Sequence, residues 1–188
     1  EKNIAAFRLL GGVGIPLENL SVLPFEKSYF AGGSNGIRAW DPRTLGPGTY
    51  RDSTSQVTFN NIGELRLEGS AEYRFKLTET FEGALFVDAG NIWFLDEDED
   101  RPGSAFDPSK LWTQLAIGAG MGFRFDFDFF LLRFDVAMQM KDPAKINGEQ
   151  WFWEPKEEYN RYLDDVFPGE NATYSPVLNY NLGIGYPF

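Results

Sequence analysis

The stretch Glu64-Leu65-Arg66-Leu67-Glu68-Gly69-Ser70-Ala71-Glu72-Tyr73-Arg74-Phe75-Lys76-Leu77 decides the fold. Its even positions (Glu64, Arg66, Glu68, Ser70, Glu72, Arg74, Lys76) are polar, and its odd positions are apolar or small. Successive side chains of an extended chain point to opposite faces, so this alternation describes a strand with one wet and one greasy flank. Globular strands typically run about 5–6 residues, which makes a soluble strand of this length unusual. A strand crossing a bilayer needs about 9–11 residues and often continues beyond it. The competing reading is a soluble β-sandwich whose solvent face is the charged one.

Working outward, the same period recurs. Leu115, Ile117, Ala119, Met121, Phe123, Phe125 and Phe127 oppose Ala116, Gly118, Gly120, Gly122, Arg124 and Asp126. Phe130, Leu132, Phe134, Val136, Met138 and Met140 oppose Leu131, Arg133, Asp135, Ala137 and Gln139. The last segment sets Leu178, Tyr180, Leu182, Ile184, Tyr186 and Phe188 against Asn179, Asn181, Gly183, Gly185 and Pro187. Phe81 to Trp93 and Ile4 to Ile15 complete a set of about six strands. Tight turns fit between Leu77 and Phe81 and around Asp128 to Phe129, whereas Pro16 to Gly63, Leu95 to Thr113 and Lys141 to Pro176 are long and polar. Short turns on one side and long loops on the other are the plan of an outer-membrane barrel, and a compact soluble domain rarely carries three such loops.

The expected fold is therefore all-β, an antiparallel transmembrane β-barrel of which this chain is the C-terminal portion. Six strands leave two unpaired edges, which lipid penalises by several kcal/mol per unsatisfied group. A barrel of about eight strands is the smallest with a packed interior. The missing strands are expected upstream, and the start at Glu1 with no leader suits a piece of a longer chain.

Composition excludes several function classes. The 188 residues include no Cys and no His, which removes disulfides, thiolate metal sites and His-based triads. A net charge of −11 argues against a nucleic-acid surface. Aromatic residues at 16% and 20 glycines suit an all-β chain. No segment approaches the roughly 18–20 apolar residues of a transmembrane helix, which leaves strand crossing untouched.

Four motifs in order carry a family resemblance. Gly32-Gly33-Ser34-Asn35-Gly36-Ile37-Arg38-Ala39-Trp40, followed by Arg43-Thr44-Leu45-Gly46-Pro47-Gly48, resembles the sixth extracellular loop of the BamA/TamA outer-membrane assembly and translocation superfamily. Ile37-Arg38-Ala39-Trp40 stands where that family has Val-Arg-Gly-Tyr/Phe. Ala71 to Phe75 is similar to its next strand, and Phe86-Val87-Asp88-Ala89-Gly90-Asn91-Ile92-Trp93 to its Phe-x-Asp-x-Gly strand. The final Asn181-x-Gly183-x-x-Tyr186-x-Phe188 resembles the C-terminal β-signal of barrel proteins. The Ile-Arg-Ala-Trp and Leu-Gly-Pro-Gly wording resembles TamA-like members, including lipid-anchored ones, more than BamA.

The resemblance implies that the long loop folds back into the lumen, with Arg38 as its anchor and Glu72 and Asp88 as its seats. Alternation independently turns both acids inward. Arg suits the task because its fork binds carboxylates in bidentate fashion and stays charged when desolvated. Arg43 is the rival cation. Ala39, where the family has Gly, would be strained if that position required positive φ. The resemblance also implies a terminal seam that opens sideways and templates client strands by β-augmentation, with Pro187 weakening its last rung. It implies an outer-membrane location in a diderm bacterium, surrounding lipid, client outer-membrane or secreted proteins, periplasmic or lipoprotein partners, and upstream POTRA domains absent from this chain. No cofactor and no enzymatic activity are expected, because no carboxylate is paired with a nucleophile or metal ligands. A secretion pore of the two-partner type and an unrelated channel are the alternatives.

Other signals read more plainly. Gly118-x-Gly120-x-Gly122 alternates with apolar residues and gives lumen space rather than a nucleotide loop. Asp96 to Asp100 is expected to be a solvated acidic run, the alternative being a divalent-cation site near lipopolysaccharide. Trp151, Trp153, Tyr159 and Tyr162 are expected to pack within their own loop, the alternative being a cap or a partner contact, and Asn171-Ala172-Thr173 is a glycosylation acceptor only in a suitable secretory system.

Overall fold

The structure is a computed structural model of the chain, and it describes residues 3–17, 23–50, 61–127, 129–145, 149–153, 176–185 and 187. Among the described residues six strands are formed: β1 (Ile4–Val13), β2 (Leu65–Lys76), β3 (Phe81–Trp93), β4 (Ala116–Asp126), β5 (Leu131–Lys141) and β6 (Leu178–Ile184). They make one antiparallel sheet in the order β1-β2-β3-β4-β5-β6, with β1 and β6 at its two ends. Every neighbour in sequence is a neighbour in space, as tight hairpins on one side require. Phe81 closes the β2–β3 turn by accepting at its carbonyl from the amides of Leu77 and Thr78 at 2.9 and 3.0 Å.

The register fixes which side chains share a face. Glu72 sits opposite Phe86, Asp88 opposite Gly118, and Gly122 opposite Asp135. The charged face is the buried one: Glu68, Asp88, Arg124 and Asp135 are 0% exposed. The apolar face is open, with Leu9 81%, Phe7 78% and Ile184 78% exposed. Leu65 is half-buried and Phe123 exposed, so these residues do not meet Ile184 in a common dry interior. That is the reverse of a soluble sandwich. A large apolar side chain gains roughly 1.5–3 kcal/mol on leaving water. A sheet that presents so many of them outward is built for an apolar surround. Among the described residues no helix is long and apolar enough to cross a membrane, which says nothing about crossing by strands.

The core lies inside the curve of the sheet and is mostly loop. Ala31, Ile37, Ala39, Trp40 and Leu45, from the long connection between β1 and β2, pack with Phe86, Ile92, Ala116 and Ala137 of the wall. Tyr29 and Gly63 close the base of this loop through reciprocal amide–carbonyl bonds of 2.8 and 2.9 Å. Gly12 makes that closure possible, because a Cβ there would stand 2.8 Å from the Tyr29 ring.

Four strands are shorter than the alternation suggests: β2 and β4 lose one residue at each end, and β1 and β6 are cut at their C-terminal ends. The first strand ends at Val13 rather than Ile15, although the Gly14 amide still donates to the Glu64 carbonyl at 2.7 Å, one step further in the same register. The last ends at Ile184, because Gly185 takes φ 84° and breaks the extended run. Asp128, Tyr159, Tyr162, residues 171–173, Tyr186 and Phe188 lie outside the described residues.

Candidate functional site

Arg38 enters the lumen at the tip of a tight loop turn. Gly32 and Gly33 adopt φ of 93° and 91°, a region that favours glycine. The Gly33 amide donates to the Trp40 carbonyl at 2.7 Å, and that of Trp40 to the Ile37 carbonyl at 3.2 Å. Gly36 lies against Glu68, where an added Cβ would be 3.4 Å from its carboxylate. Ala39 does not adopt a positive φ, so the residue that replaces the family's glycine carries no backbone strain. Positive φ falls instead on Arg43, at 67°, whose guanidinium stands over the Phe25 and Phe30 rings at 4.8 and 4.9 Å.

The Arg38 side chain reaches both acids. Its Nε and Nη2 donate to Asp88 Oδ2 and Oδ1 at 2.8 and 2.9 Å, a bidentate fork. Its own backbone amide donates to Asp88 Oδ2 at 3.2 Å, and Nη1 donates to Glu72 Oε2 at 2.6 Å. The guanidinium lies 3.4 Å from the centre of the Phe86 ring, a cation–π contact in a site where the Arg is 1% exposed. Burial alone disfavours its charge, but the hydrogen bonds and charge of Asp88, then of Glu72, outweigh that and raise the pKa above its ordinary value.

The wall around this fork is a wider ion network. Glu72 Oε1 accepts from Arg74 Nε at 2.7 Å and from Arg124 Nη2 at 3.0 Å. Arg124 Nη1 donates to Asp135 Oδ1 at 2.6 Å, and Asp135 Oδ2 lies 3.6 Å from Arg38 Nη1. Alternation places Arg74, Arg124 and Asp135 on the inner face but says nothing of their partners, which come from four different strands or loops. Parity puts Phe86 on the same inner face as Glu82, Asp88 and Ile92, but nothing in the alternation marks it as the ring beneath Arg38.

The terminal strand faces the loop as well. Asn179 and Asn181 both donate through Nδ2 to the Arg38 carbonyl, at 3.1 and 2.9 Å. Gly183 leaves room for Arg133, whose Nη2 would stand 2.7 Å from a Cβ at that position. Arg133 Nη2 in turn donates to the Ser34 carbonyl at 2.8 Å.

A second junction lies above the fork. Asn91, on β3 three residues beyond Asp88, donates through Nδ2 to the carbonyls of Gly48 and Gln114 at 2.8 and 2.6 Å. Its Oδ1 accepts from the Ile92 amide at 2.8 Å. The Gly48 amide donates to the Ile92 carbonyl at 2.8 Å, and that of Thr49 to the Gly103 carbonyl at 2.9 Å. The long loop is thus tied both to the wall and to the β3–β4 loop. Among the described residues no group of three or more His, Cys, Asp or Glu is placed to hold a metal ion.

The comparison with known families accords with an antiparallel sheet whose apolar face is turned outward. The sequence model of the Omp85 superfamily domain matches residues 1–154, most of the chain. The chain belongs to the Omp85 superfamily. Its six strands are part of the β-barrel of that family. Within the Omp85 superfamily it is similar to the outer membrane protein assembly factor BamA of Neisseria meningitidis serogroup B (strain ATCC BAA-335 / MC58), with 28% identity over 102 residues. That match covers 52% of this chain and 12% of the relative, so the chain spans a small part of the length of the curated relative it matches.

Proposed function

We propose that the chain is the C-terminal part of a single outer-membrane β-barrel that assists the insertion or translocation of other proteins. The reading rests on one observation above the rest. Arg38 of the long loop is held by Glu72 and Asp88 on two different strands, and its carbonyl by Asn179 and Asn181 on a third element. A loop fixed this way connects the middle of the barrel wall to β6, the strand whose outer edge would form the lateral seam. Client strands of outer-membrane proteins would pair with that edge by main-chain hydrogen bonds. The energy would come from strand pairing and client folding, with no covalent step. The wording around Arg38 inclines the role toward the TamA-like side of the family.

The test uses the full-length protein in its native membrane. Arg38→Ala is expected to expose the long loop to protease and to slow client barrel assembly. A disulfide engineered between β6 and the strand that closes the barrel is expected to stop assembly until reduced. Normal assembly by both variants would refute the proposal. A steady ion conductance with a single dedicated secreted substrate would instead indicate a secretion pore of the two-partner type.

A further inference from the structure

The two short hairpins differ at their tips. The β2–β3 tip is Leu77-Thr78-Glu79-Thr80, exposed and mostly polar. The β4–β5 tip brings together Phe127, Phe129 and Phe130, which are 47%, 85% and 36% exposed. The tips stand level, because Phe81 pairs with Phe125 and the Asp126 amide donates to the Thr80 carbonyl at 2.9 Å. Phe127 and Phe130 stack at 4.9 Å, and Phe129 packs on Phe130 at 4.8 Å. By parity Phe127 continues the outward row of Phe123 and Phe125, and Phe130 begins that of Leu132 and Phe134. Phe81 links to the same row, 5.6 Å from Phe123 and 4.8 Å from Phe125. The aromatic surface therefore runs unbroken from the apolar outer belt to the end of the turn.

We propose that the β4–β5 tip is a lipid anchor: Phe127, Phe129 and Phe130 seat in the acyl–headgroup boundary of the leaflet on the short-turn side, while the β2–β3 tip stays in water. Phe has no polar handle, so a water-exposed cluster of three gains nothing there and each ring gains on burial in hydrocarbon. The backbone can tolerate that depth, since the Phe127 amide donates to the Phe130 carbonyl at 3.0 Å and the Phe129 amide to the Phe127 carbonyl at 2.8 Å. The hairpin next to β6 would then be rooted in the membrane at its tip, with the β2–β3 hairpin free of it.

The test is a depth measurement on the full-length protein, in an otherwise Cys-free background, in lipid vesicles without other proteins. A nitroxide is attached at Phe129→Cys and, separately, at Glu79→Cys, and its collision rates with dissolved oxygen and with a water-soluble nickel chelate are compared. Heat-modifiable gel migration confirms that each barrel is folded. The expected ratio of oxygen to nickel collisions is severalfold higher at 129 than at 79. Equal, water-like ratios at both positions would overturn the proposal. So would a label at 129 that is water-accessible in vesicles and shielded only when periplasmic proteins are added, which would assign the rings to a protein partner.

Discussion

Ala39 of the long loop and Gly118 of β4 touch so closely that a Cβ on Gly118 would stand 2.6 Å from the Ala39 Cβ. Trp40 closes the same space, with its Cζ3 at 3.6 Å. The loop and the glycine stripe of the wall are therefore shaped to each other. Ala39 has no flexible end that could move aside. Gly118→Ala is expected to destabilise the docked loop by about 1–3 kcal/mol, the usual range for overpacking. Thermal unfolding followed by heat-modifiable migration, with protease protection of residues 30–50, measures it. A variant as stable and protected as the parent would show that the loop does not rest on this wall.

Gly183→Ala should be far milder although its clash distance is similar. The atom met at 2.7 Å is Arg133 Nη2, the far end of a long side chain that can swing. The same unfolding measurement should rank Gly183→Ala well below Gly118→Ala. The opposite order would mean that Arg133 is wedged in place.

Arg38→Ala takes the bidentate partner from Asp88 while Glu72 keeps Arg74 and Arg124, and removing one partner of a buried pair costs about 3–5 kcal/mol. Arg38→Lys is expected to recover only part of this, since a point charge cannot make the fork to Asp88 and reach Glu72 together. Arg38→Ala combined with Asp88→Ala should lose less than the sum of the two single changes. Strict additivity in unfolding free energy would show that the pair is not coupled.

Asn91→Ala removes both donors that join Gly48 to Gln114 and is expected to cost about 1–3 kcal/mol for carbonyls left unsatisfied. Asn91→Asp should be worse, because a carboxylate would face those two carbonyls. The expected readout is faster proteolysis of the β3–β4 loop around residues 98–103 with the Arg38 region still protected. Simultaneous exposure of both regions would mean that the two junctions act as one.

Much of the barrel was legible because membrane strands leave a period-two record. The parity that sets Glu72 against Tyr73, or Asp135 against Phe134, also states which of each pair turns inward, and the burial follows it. Phe81–Trp93 was legible to its ends, since tight turn and polar loop bound it. The end of β6 was not, because Leu182-x-Ile184 reads on toward Tyr186 and Phe188, while the break comes from one dihedral at Gly185. Arg38, Glu72 and Asp88 could be singled out from loop motif and parity. Arg124, Asp135 and Asn179 could be placed on a face but not joined to Arg38, because parity gives direction and no partner.

By itself the sequence determined the alternation, the order of the crossings and the inward direction of the charged residues, since those depend on backbone geometry and the local order of residues. Only the tertiary structure decided what fills the interior. Arg38 is separated from Asp88 by 50 residues and from Asn181 by 143, and their meeting depends on register, twist and loop path together. The interior became part apolar for the same reason: Ile37, Trp40 and Leu45 find Phe86 and Ile92 only after the sheet has curved around them.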